Sequence, residues 1–346
     1  MIFYLFFLIF SLSIILLSTD RNCYSLNNDF LLVFFSIIII LVCGFRFGIG
    51  TDYGNYINIY NNLEEYPRIE KGFLCIIKIS KFLRAGKPQL YIFLVSLVAI
   101  GLKILYFTKL KNPFLAVFIY LCLYLFPLDF NVIRQGLASG IIYFAIERGR
   151  KKKKWQYFIL VICASLFHSS VLIFLPLYPL TYMHVTLETK KLVKIFLIFL
   201  VIRVTVLQFI FNNLRIFILT RISNPLIAQL VNYFWLADFK FSFNFLRRLL
   251  FIIFYFKLFG EKKHNCYFLF YLIGFFISTM LTGNEIFSYR LSTLFDVFSI
   301  PLFCNKRIVL TKKNSVYFFS FIMLLILLYF SYMKDALPYK VCMEIL

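Results

Sequence analysis

An apolar run begins with Phe130-Asn131-Val132-Ile133-Arg134-Gln135-Gly136-Leu137-Ala138-Ser139-Gly140 and ends in a dense basic cluster at residues 148–154. Clusters of lysine and arginine beside apolar segments mark the cytoplasmic side of a membrane. A helix over residues 133–146 is therefore predicted to cross the bilayer, with Arg134 and Gln135 at its outer surface.

A histidine is predicted at the same membrane face. Trp155 and Tyr157 open the next apolar run, at a position where interfacial aromatic side chains are common. The run is interrupted at Phe167-His168-Ser169-Ser170, and we read residues 158–180 as two short helices broken there, because the lysines that follow then return to the cytoplasm. The arginine, the amide and His168 are thus predicted to meet at the outer surface.

The composition defines the class of protein. Of the 346 residues, 62% are hydrophobic and 21% aromatic, and the mean hydropathy is +0.86, far above the values of a soluble domain. We predict an all-α, polytopic integral membrane protein. The net charge is +22, but lysine and arginine lie in short clusters between apolar runs. That pattern is topological and argues against nucleic acid as a partner.

The cysteines and histidines show no metal or disulfide pattern. The eight cysteines are scattered, mostly in apolar segments, no CxxC occurs, and the three histidines are dispersed. No metal and no cofactor are predicted. The sequence also has no nucleotide-binding G-x-x-x-x-G-K-[ST], no G-x-S-x-G and no H-E-x-x-H, so ATP-driven transport and serine or zinc hydrolysis have no support.

Hydropathy predicts a single transmembrane domain over residues 1–346 with about eleven to twelve helices. The predicted spans are residues 2–18, 30–45, 90–107, 113–126, 133–146, 158–180 as a broken pair, 194–211, 245–259, 267–281, 291–303 and 316–332. The span over residues 90–107 ends in Lys103, Lys109 and Lys111, of which the last two are predicted to be cytoplasmic. Asp129 is predicted to lie outside, with Arg134.

Residues 46–88 are predicted to form an extracytoplasmic loop with an interfacial or re-entrant helix over residues 72–83. The loop opens with Arg46-Phe47-Gly48-Ile49-Gly50-Thr51-Asp52-Tyr53, in which glycines beside charged residues form a tight turn able to reach a ligand. An ordinary turn between helices is the alternative. If residues 72–83 cross the membrane, this loop and the N-terminus lie inside instead of outside.

Residues 212–244 are predicted to form a second extracytoplasmic loop, either a lid or substrate-binding loop or a partly buried packing segment. Two further features receive structural interpretations. Gly136 and Gly140 form a GxxxG, which is typical of close helix packing. Arg203 and Asp296 lie deeper in predicted spans and are expected to pair with each other.

The arginines predicted at the outer face, Arg46, Arg134 and Arg290, can bind phosphate or carboxylate. For each one alone, contact with a lipid headgroup or a salt bridge is the simpler interpretation. Together with Asp52 and His168 they suit a different chemistry: the cations hold a pyrophosphate leaving group while a carboxylate or an imidazole removes a proton from a sugar hydroxyl. This is the equipment of glycosyl transfer from a lipid diphosphate, and it needs no metal.

Three motifs in series, Arg46 to Tyr53, Ile133-Arg134-Gln135-Gly136-Leu137-Ala138 and Ala164-Ser165-Leu166-Phe167-His168-Ser169-Ser170, resemble the EpsG-type branch of the Wzy polysaccharide polymerases. The resemblance covers residues 42–180, and beyond them it rests on Arg290. It implies a GT-C-like helical enzyme of the bacterial inner membrane that polymerises undecaprenyl-diphosphate-linked repeat units at the periplasmic face, for O-antigen, capsule or exopolysaccharide.

The resemblance also implies roles for single residues. Arg134 and Arg290 would hold the diphosphates of donor or acceptor, and Asp52 or His168 would be the base on the acceptor hydroxyl, a choice that the sequence leaves open. The implied partners are lipid-linked oligosaccharides, the bilayer and a chain-length regulator.

Arg46 and Gln135 would orient a phosphate or a sugar. The alternative function is a flippase or other transporter of lipid-linked oligosaccharides, which should show paired halves that this sequence lacks. A membrane O-acyltransferase would share a single histidine but needs it at the cytoplasmic face.

Overall fold

The structure is a computed structural model, and it describes residues 10, 13, 26–83, 87–186, 188–210, 212–213, 217, 243–260, 263–304, 310–333 and 340–341. Most of these residues are helical, as predicted. The chain divides into two compact units, the first made of residues 1–182 and 300–346 and the second of residues 183–299.

The first unit contains most of the long helices. Its elements are α1 (Leu26–Gly44), β1 (Arg46–Phe47), α2 (Tyr53–Asn61), a 3-10 turn (Leu63–Glu65), α3 (Lys71–Leu83), α4 (Pro88–Phe107), α5 (Pro113–Leu123), a π-helical segment (Leu125–Asn131), α6 (Ile133–Arg150), α7 (Lys154–Ser165) and a 3-10 helix (Ser169–Tyr182). Later in the chain come most of α12 (Ser299–Cys304), then α13 (Leu310–Met333) and β4 (Lys340–Val341). The strand β1 pairs antiparallel with β4.

The second unit is built on a helical hairpin. Its elements are β2 (Val185–Thr186), α8 (Thr189–Ile202), a π-helical turn (Arg203–Leu207), α9 (Phe243–Phe259), β3 (Lys263–His264), α10 (Cys266–Met280) and α11 (Glu285–Asp296). Helix α10 packs against α8, α9 and α11, and β2 pairs antiparallel with β3. The predicted loop over residues 212–244 lies almost entirely outside the described residues.

Two described helices are long and apolar enough to cross a membrane, Pro88–Phe107 and Thr189–Ile210. A third candidate is the pair Pro113–Leu123 and Leu125–Asn131, which together pass the same test but are bent by 68°. All three overlap predicted spans. The total of eleven to twelve stays a prediction, and the span predicted over residues 2–18 lies almost entirely outside the described residues.

The centre of the first unit is formed by α4, α5 and α6. Helix α4 packs against α1, α3 and α6, and ten of the eleven residues of α5 are buried. A helix that is apolar on every face is stable only where every face is covered. The aromatic contact between Phe118 and Tyr317, whose ring centroids are 5.0 Å apart, adds α13 to this packing.

The bend after α5 follows from its sequence. Pro127 has no N–H to donate within a helix, and its ring displaces the preceding turn, so the segment Leu125–Asn131 takes a π-helical form. The predicted span over residues 113–126 therefore turns sharply at its end, and Asp129 lies on the turned segment.

Residues 72–83 fall in a helix, α3, whose 13 residues are fewer than the roughly 20 of a typical span, and its interfacial or re-entrant placement stays a prediction. The predicted break at His168 is confirmed. The apolar run over residues 158–180 is broken at His168, where α7 has ended and the 3-10 helix begins. Tyr157 on α7 donates a hydrogen bond to the Phe174 carbonyl, so the two segments fold back on each other as a hairpin.

Candidate functional site

The first sequence motif contacts the two residues Phe130 and Asn131, which lie just before the second motif. The Thr51 N–H donates to Oδ1 of Asn131, 3.0 Å away. Gly50 has φ +100°, and a Cβ built on it would lie 2.3 Å from the Phe130 carbonyl oxygen. Only glycine fits this position, because an L side chain would be strained by the backbone angle and would also meet the neighbouring carbonyl.

The third motif contacts the start of α3. The N–H groups of Gly72 and Phe73 donate to the Leu166 carbonyl at 2.8 and 3.3 Å, which satisfies two donors of the first helical turn. A Cβ on Gly72 would lie 2.9 Å from that same oxygen. The loop that ends at residue 70 is thereby held against the turn that carries His168.

Glu70 joins the Arg134 and His168 motifs at one point. Nη1 of Arg134 donates to Glu70 Oε2 at 2.7 Å, the Ser169 N–H donates to Glu70 Oε1 at 3.2 Å, and Nδ1 of His168 lies 3.8 Å from that oxygen. We call Arg134, Glu70 and His168 the Glu70 cluster. The three side chains are 28%, 13% and 17% exposed, so the cluster lies at a surface and not in the core.

Aromatic side chains surround the Arg134 end of the cluster. The guanidinium carbon lies 5.8 Å from the centroid of the Phe73 ring, and the Tyr56 hydroxyl is a further hydrogen-bond partner of Arg134. Tyr56 is buried, and its ring centroid is 6.2 Å from that of Phe73. A cation held by a carboxylate, a phenol and a ring face has a fixed position, as anion recognition requires.

Asp52 and Gln135 are two further candidate site residues of the first unit. Asp52 stands at the start of α2, is partly exposed, and accepts the N–H of Tyr56 on its backbone carbonyl at 3.1 Å. It is thus one helical turn, about 5.4 Å along the axis, before Tyr56. Gln135 is buried, because successive helical residues point about 100° apart and its neighbour Arg134 occupies the exposed side.

Arg46 lies inside the first unit. Its side chain is 0% exposed, Nη1 donates to the Cys43 carbonyl at 2.6 Å, and the guanidinium carbon is 5.1 Å from the Phe130 ring centroid. Nε and Nη2 are buried with no hydrogen-bond partner among the described residues. Burial lowers the pKa of the Arg46 guanidinium, and the electrostatic interactions with Cys43 and Asp129 raise it by less. Arg46 is therefore buried within the protein, and its place at the outer membrane face stays a prediction.

A buried ion pair beside Arg46 was missed by sequence reasoning. Nζ of Lys103 lies 2.6 Å from both carboxylate oxygens of Asp129, and the Tyr120 hydroxyl donates to Oδ2 at 2.5 Å. Lys103 and Asp129 are 1% and 2% exposed. Sequence reasoning put Lys103 near the end of its predicted span and Asp129 outside, and it did not pair the two residues.

The GxxxG glycines have different neighbours. A Cβ on Gly140 would lie 3.1 Å from Cβ of Leu102, as expected for close packing of α6 on α4. A Cβ on Gly136 would lie 2.6 Å from Oδ1 of Asp129. Gly140 makes room for helix α4, and Gly136 makes room for the carboxylate of Asp129. Pro127 before Asp129 and Gly136 after it are the sequence signals that could have located this carboxylate.

The second unit holds Arg290 and a separate buried charge network. Arg290 lies on α11 and is partly exposed. Asp296, at the end of the same helix, accepts hydrogen bonds from Arg248 Nε at 2.9 Å and from Nη2 of both Arg247 and Arg248 at 2.8 Å. Sequence reasoning expected Arg203 as the partner of Asp296 and missed these two arginines.

Arg203 is itself fully buried. Its Nη1 donates to Oε1 of Gln208 at 2.6 Å, and its Nη2 donates to the Thr282 carbonyl. In the part of the chain that the structure describes, no group of three or more His, Cys, Asp or Glu side chains is placed to hold a metal ion.

A mostly helical chain with helices long and apolar enough to cross a bilayer is a membrane protein. The model of the EpsG family matches residues 29–341, nearly the whole chain, and the protein belongs to that family. Members of the EpsG family are Wzy-like polymerases. The match extends the resemblance well beyond residues 42–180 and includes Arg290. No curated protein and no solved structure matches the chain.

Proposed function

We propose that this protein joins undecaprenyl-diphosphate-linked oligosaccharide repeat units at the periplasmic face of the bacterial inner membrane, by glycosyl transfer without a metal. The family match supports the polymerase class, and the observation that carries the proposal is the Glu70 cluster. It puts a permanent cation and an imidazole on opposite sides of one carboxylate at a surface of the first unit.

Arg134 is proposed to bind the diphosphate leaving group. A guanidinium has five N–H donors in a planar fork, so Arg134 can keep its bond to Glu70 and still donate to phosphate oxygens. Interactions of this kind accelerate a reaction when they strengthen as charge develops on the leaving group.

The reaction proceeds by attack of an acceptor sugar hydroxyl on the anomeric carbon of the donor. As the new glycosidic bond forms, the bond from that carbon to the diphosphate oxygen breaks, and the lipid diphosphate leaves with the electron pair. Asp52 or His168 takes the hydroxyl proton and passes it to solvent. Arg290 is assigned to a second diphosphate, and Arg46 and Gln135 to positioning phosphate or sugar groups.

The test is the length of surface polysaccharide, resolved on a gel, in a strain that lacks the gene. The strain is complemented with wild type, Arg134→Ala, His168→Ala or, as a matched control, Arg68→Ala, whose arginine is exposed in the loop before Glu70. All variants are compared at equal protein abundance in the membrane.

The proposal predicts full-length chains with wild type and Arg68→Ala. With Arg134→Ala it predicts only single repeats. The rate of polymerisation is expected to fall by about 10²- to 10³-fold, the typical effect of removing one charge-stabilising donor. Full-length chains with Arg134→Ala would contradict the leaving-group role. Failure of lipid-linked repeats to reach the periplasm in the gene-deleted strain would favour a flippase.

A further inference from the structure

We propose that Glu70 is the positioning residue that makes His168 the base, an inference that rests on the proposed function and deepens it. Nothing in the sequence motifs points to Glu70, which lies in the loop between α2 and α3. The proposal also decides between the two candidate bases, because it gives His168 an orienting partner.

The two oxygens of Glu70 have separate partners. Oε2 accepts from Arg134 at 2.7 Å, and Oε1 accepts from the Ser169 N–H at 3.2 Å and faces Nδ1 of His168 at 3.8 Å. The carboxylate is therefore fixed from two sides, by a side chain of α6 and by the backbone next to the histidine. A carboxylate fixed in this way can orient the imidazole that it faces.

The orientation assigns the two ring nitrogens. Nδ1 lies 3.8 Å from Oε1 of Glu70, which is too long for a hydrogen bond, and the proposal is that this distance shortens when substrate binds. In that state the neutral imidazole holds its proton at Nδ1 and its lone pair at Nε2. Nε2 then accepts the proton of the acceptor hydroxyl while the hydroxyl oxygen bonds to the anomeric carbon. The imidazolium that results has its charge beside the Glu70 carboxylate.

The backbone explains why the geometry is maintained. Leu166, two residues before His168, accepts hydrogen bonds from Gly72 and Phe73, two and three residues after Glu70. Both side chains of the pair thus project from segments that are hydrogen-bonded to each other. The position of Glu70 does not depend on Arg134 alone.

The experiment is polymerisation by the purified full-length protein in proteoliposomes. The substrate is the lipid-linked repeat unit isolated from the strain that lacks the gene. Wild type is compared with Glu70→Gln, which preserves side-chain size and the acceptor for Ser169 but removes the charge. The matched control is Glu65→Gln, whose carboxylate is exposed in the same loop.

Glu70→Gln is expected to lower kcat by about 10²-fold with KM changed by less than about twofold, since a positioned base contributes 10²- to 10⁴-fold. Glu65→Gln is expected to match wild type. In the His168→Ala background, the effect of Glu70→Gln is expected to shrink to the part that acts through Arg134, because Glu70 and His168 act as one unit. An equally large effect of Glu70→Gln in that background would overturn the proposal.

The measured kcat per folded molecule separates positioning from a structural role. The charged groups near His168 are Glu70 and, bound to the other oxygen of Glu70, Arg134. A purely structural role would lower the amount of folded protein and leave kcat per folded molecule unchanged, whereas a positioning role lowers kcat itself. An unchanged kcat per folded molecule in Glu70→Gln would contradict the assignment.

Glu70→Asp covers the case in which Glu70→Gln does not accumulate. Its charge is retained but the carboxylate withdraws by about 1.5 Å, so kcat is expected to fall between the values of wild type and Glu70→Gln. A wild-type kcat in Glu70→Asp would overturn the proposal. If wild-type proteoliposomes make no polymer, the proposed function fails. If they do and Glu70→Gln behaves like wild type, only the role of Glu70 fails.

Discussion

The buried pair of Lys103 and Asp129 provides the sharpest test of the fold, because the structure pairs two residues that the sequence analysis did not bring together. Lys103→Met removes the ammonium and keeps most of the apolar stem. Asp129 then remains 2% exposed with one hydroxyl donor, Tyr120. Removing one partner of a buried pair leaves an uncompensated charge and costs about 3–5 kcal/mol.

The assay is thermal unfolding of the detergent-solubilised protein. At roughly 2–4 °C per kcal/mol for a unit of this size, Lys103→Met is expected to lower Tm by at least about 6 °C. The control is Lys109→Met: that lysine lies 3.8 Å from Glu147 and is 46% exposed, so its removal is expected to cost less than about 1 kcal/mol.

The double variant Lys103→Met with Asp129→Asn shows whether the two side chains interact. Since both charges disappear together, it is expected to be less destabilised than the sum of the two single variants, by about 0.5–3 kcal/mol. A Tm for Lys103→Met equal to that of Lys109→Met would refute the reasoning. It would mean that the ammonium group of Lys103 is hydrated and not paired with Asp129.

Two further predictions concern close contacts in each unit. Gly136→Ala puts a methyl group 2.6 Å from Oδ1 of Asp129 and is expected to cost about 1–3 kcal/mol, whereas Gly101→Ala meets no atom within 4 Å and is expected to be neutral or slightly stabilising; the Tm of the two variants in detergent checks both. Asp296→Asn leaves the fully buried Arg248 without its carboxylate and is expected to cost about 3–5 kcal/mol, measured as lost thermal stability, and a loss below about 1 kcal/mol would show that the pair is hydrated.

The sequence predicted the membrane class, the family and the break at His168, because each depends on local composition. Long apolar runs define the class, and the polar residues at 168–170 interrupt such a run wherever it folds. The bend before α6 was missed because hydropathy averages over Pro127. The buried partner of Lys103 was missed because the positive-inside rule counts lysines without regard to their partners.

The candidate site was predicted unevenly for a related reason. Arg134 and His168 lie in motifs, and the structure brings both to one carboxylate. Glu70 lies in no motif, and acidic residues carry little information about membrane orientation. Its position depends on contacts with residues 64 and 99 places later in the chain, which no local pattern encodes.

The charge of the Glu70 cluster limits how a diphosphate can bind there. Arg134 and Glu70 neutralise each other, so a diphosphate meets a dipole and not a free cation, and it approaches best from the side away from Glu70. The Coulomb energy of two like charges 4 Å apart is about 4 kcal/mol at an effective dielectric constant of 20, enough to direct the anion to that side. The diphosphate is then kept apart from the carboxylate. In the proposed mechanism Arg134 serves the leaving group and Glu70 serves the base, because the two oxygens of Glu70 have separate partners and only Oε1 faces the histidine.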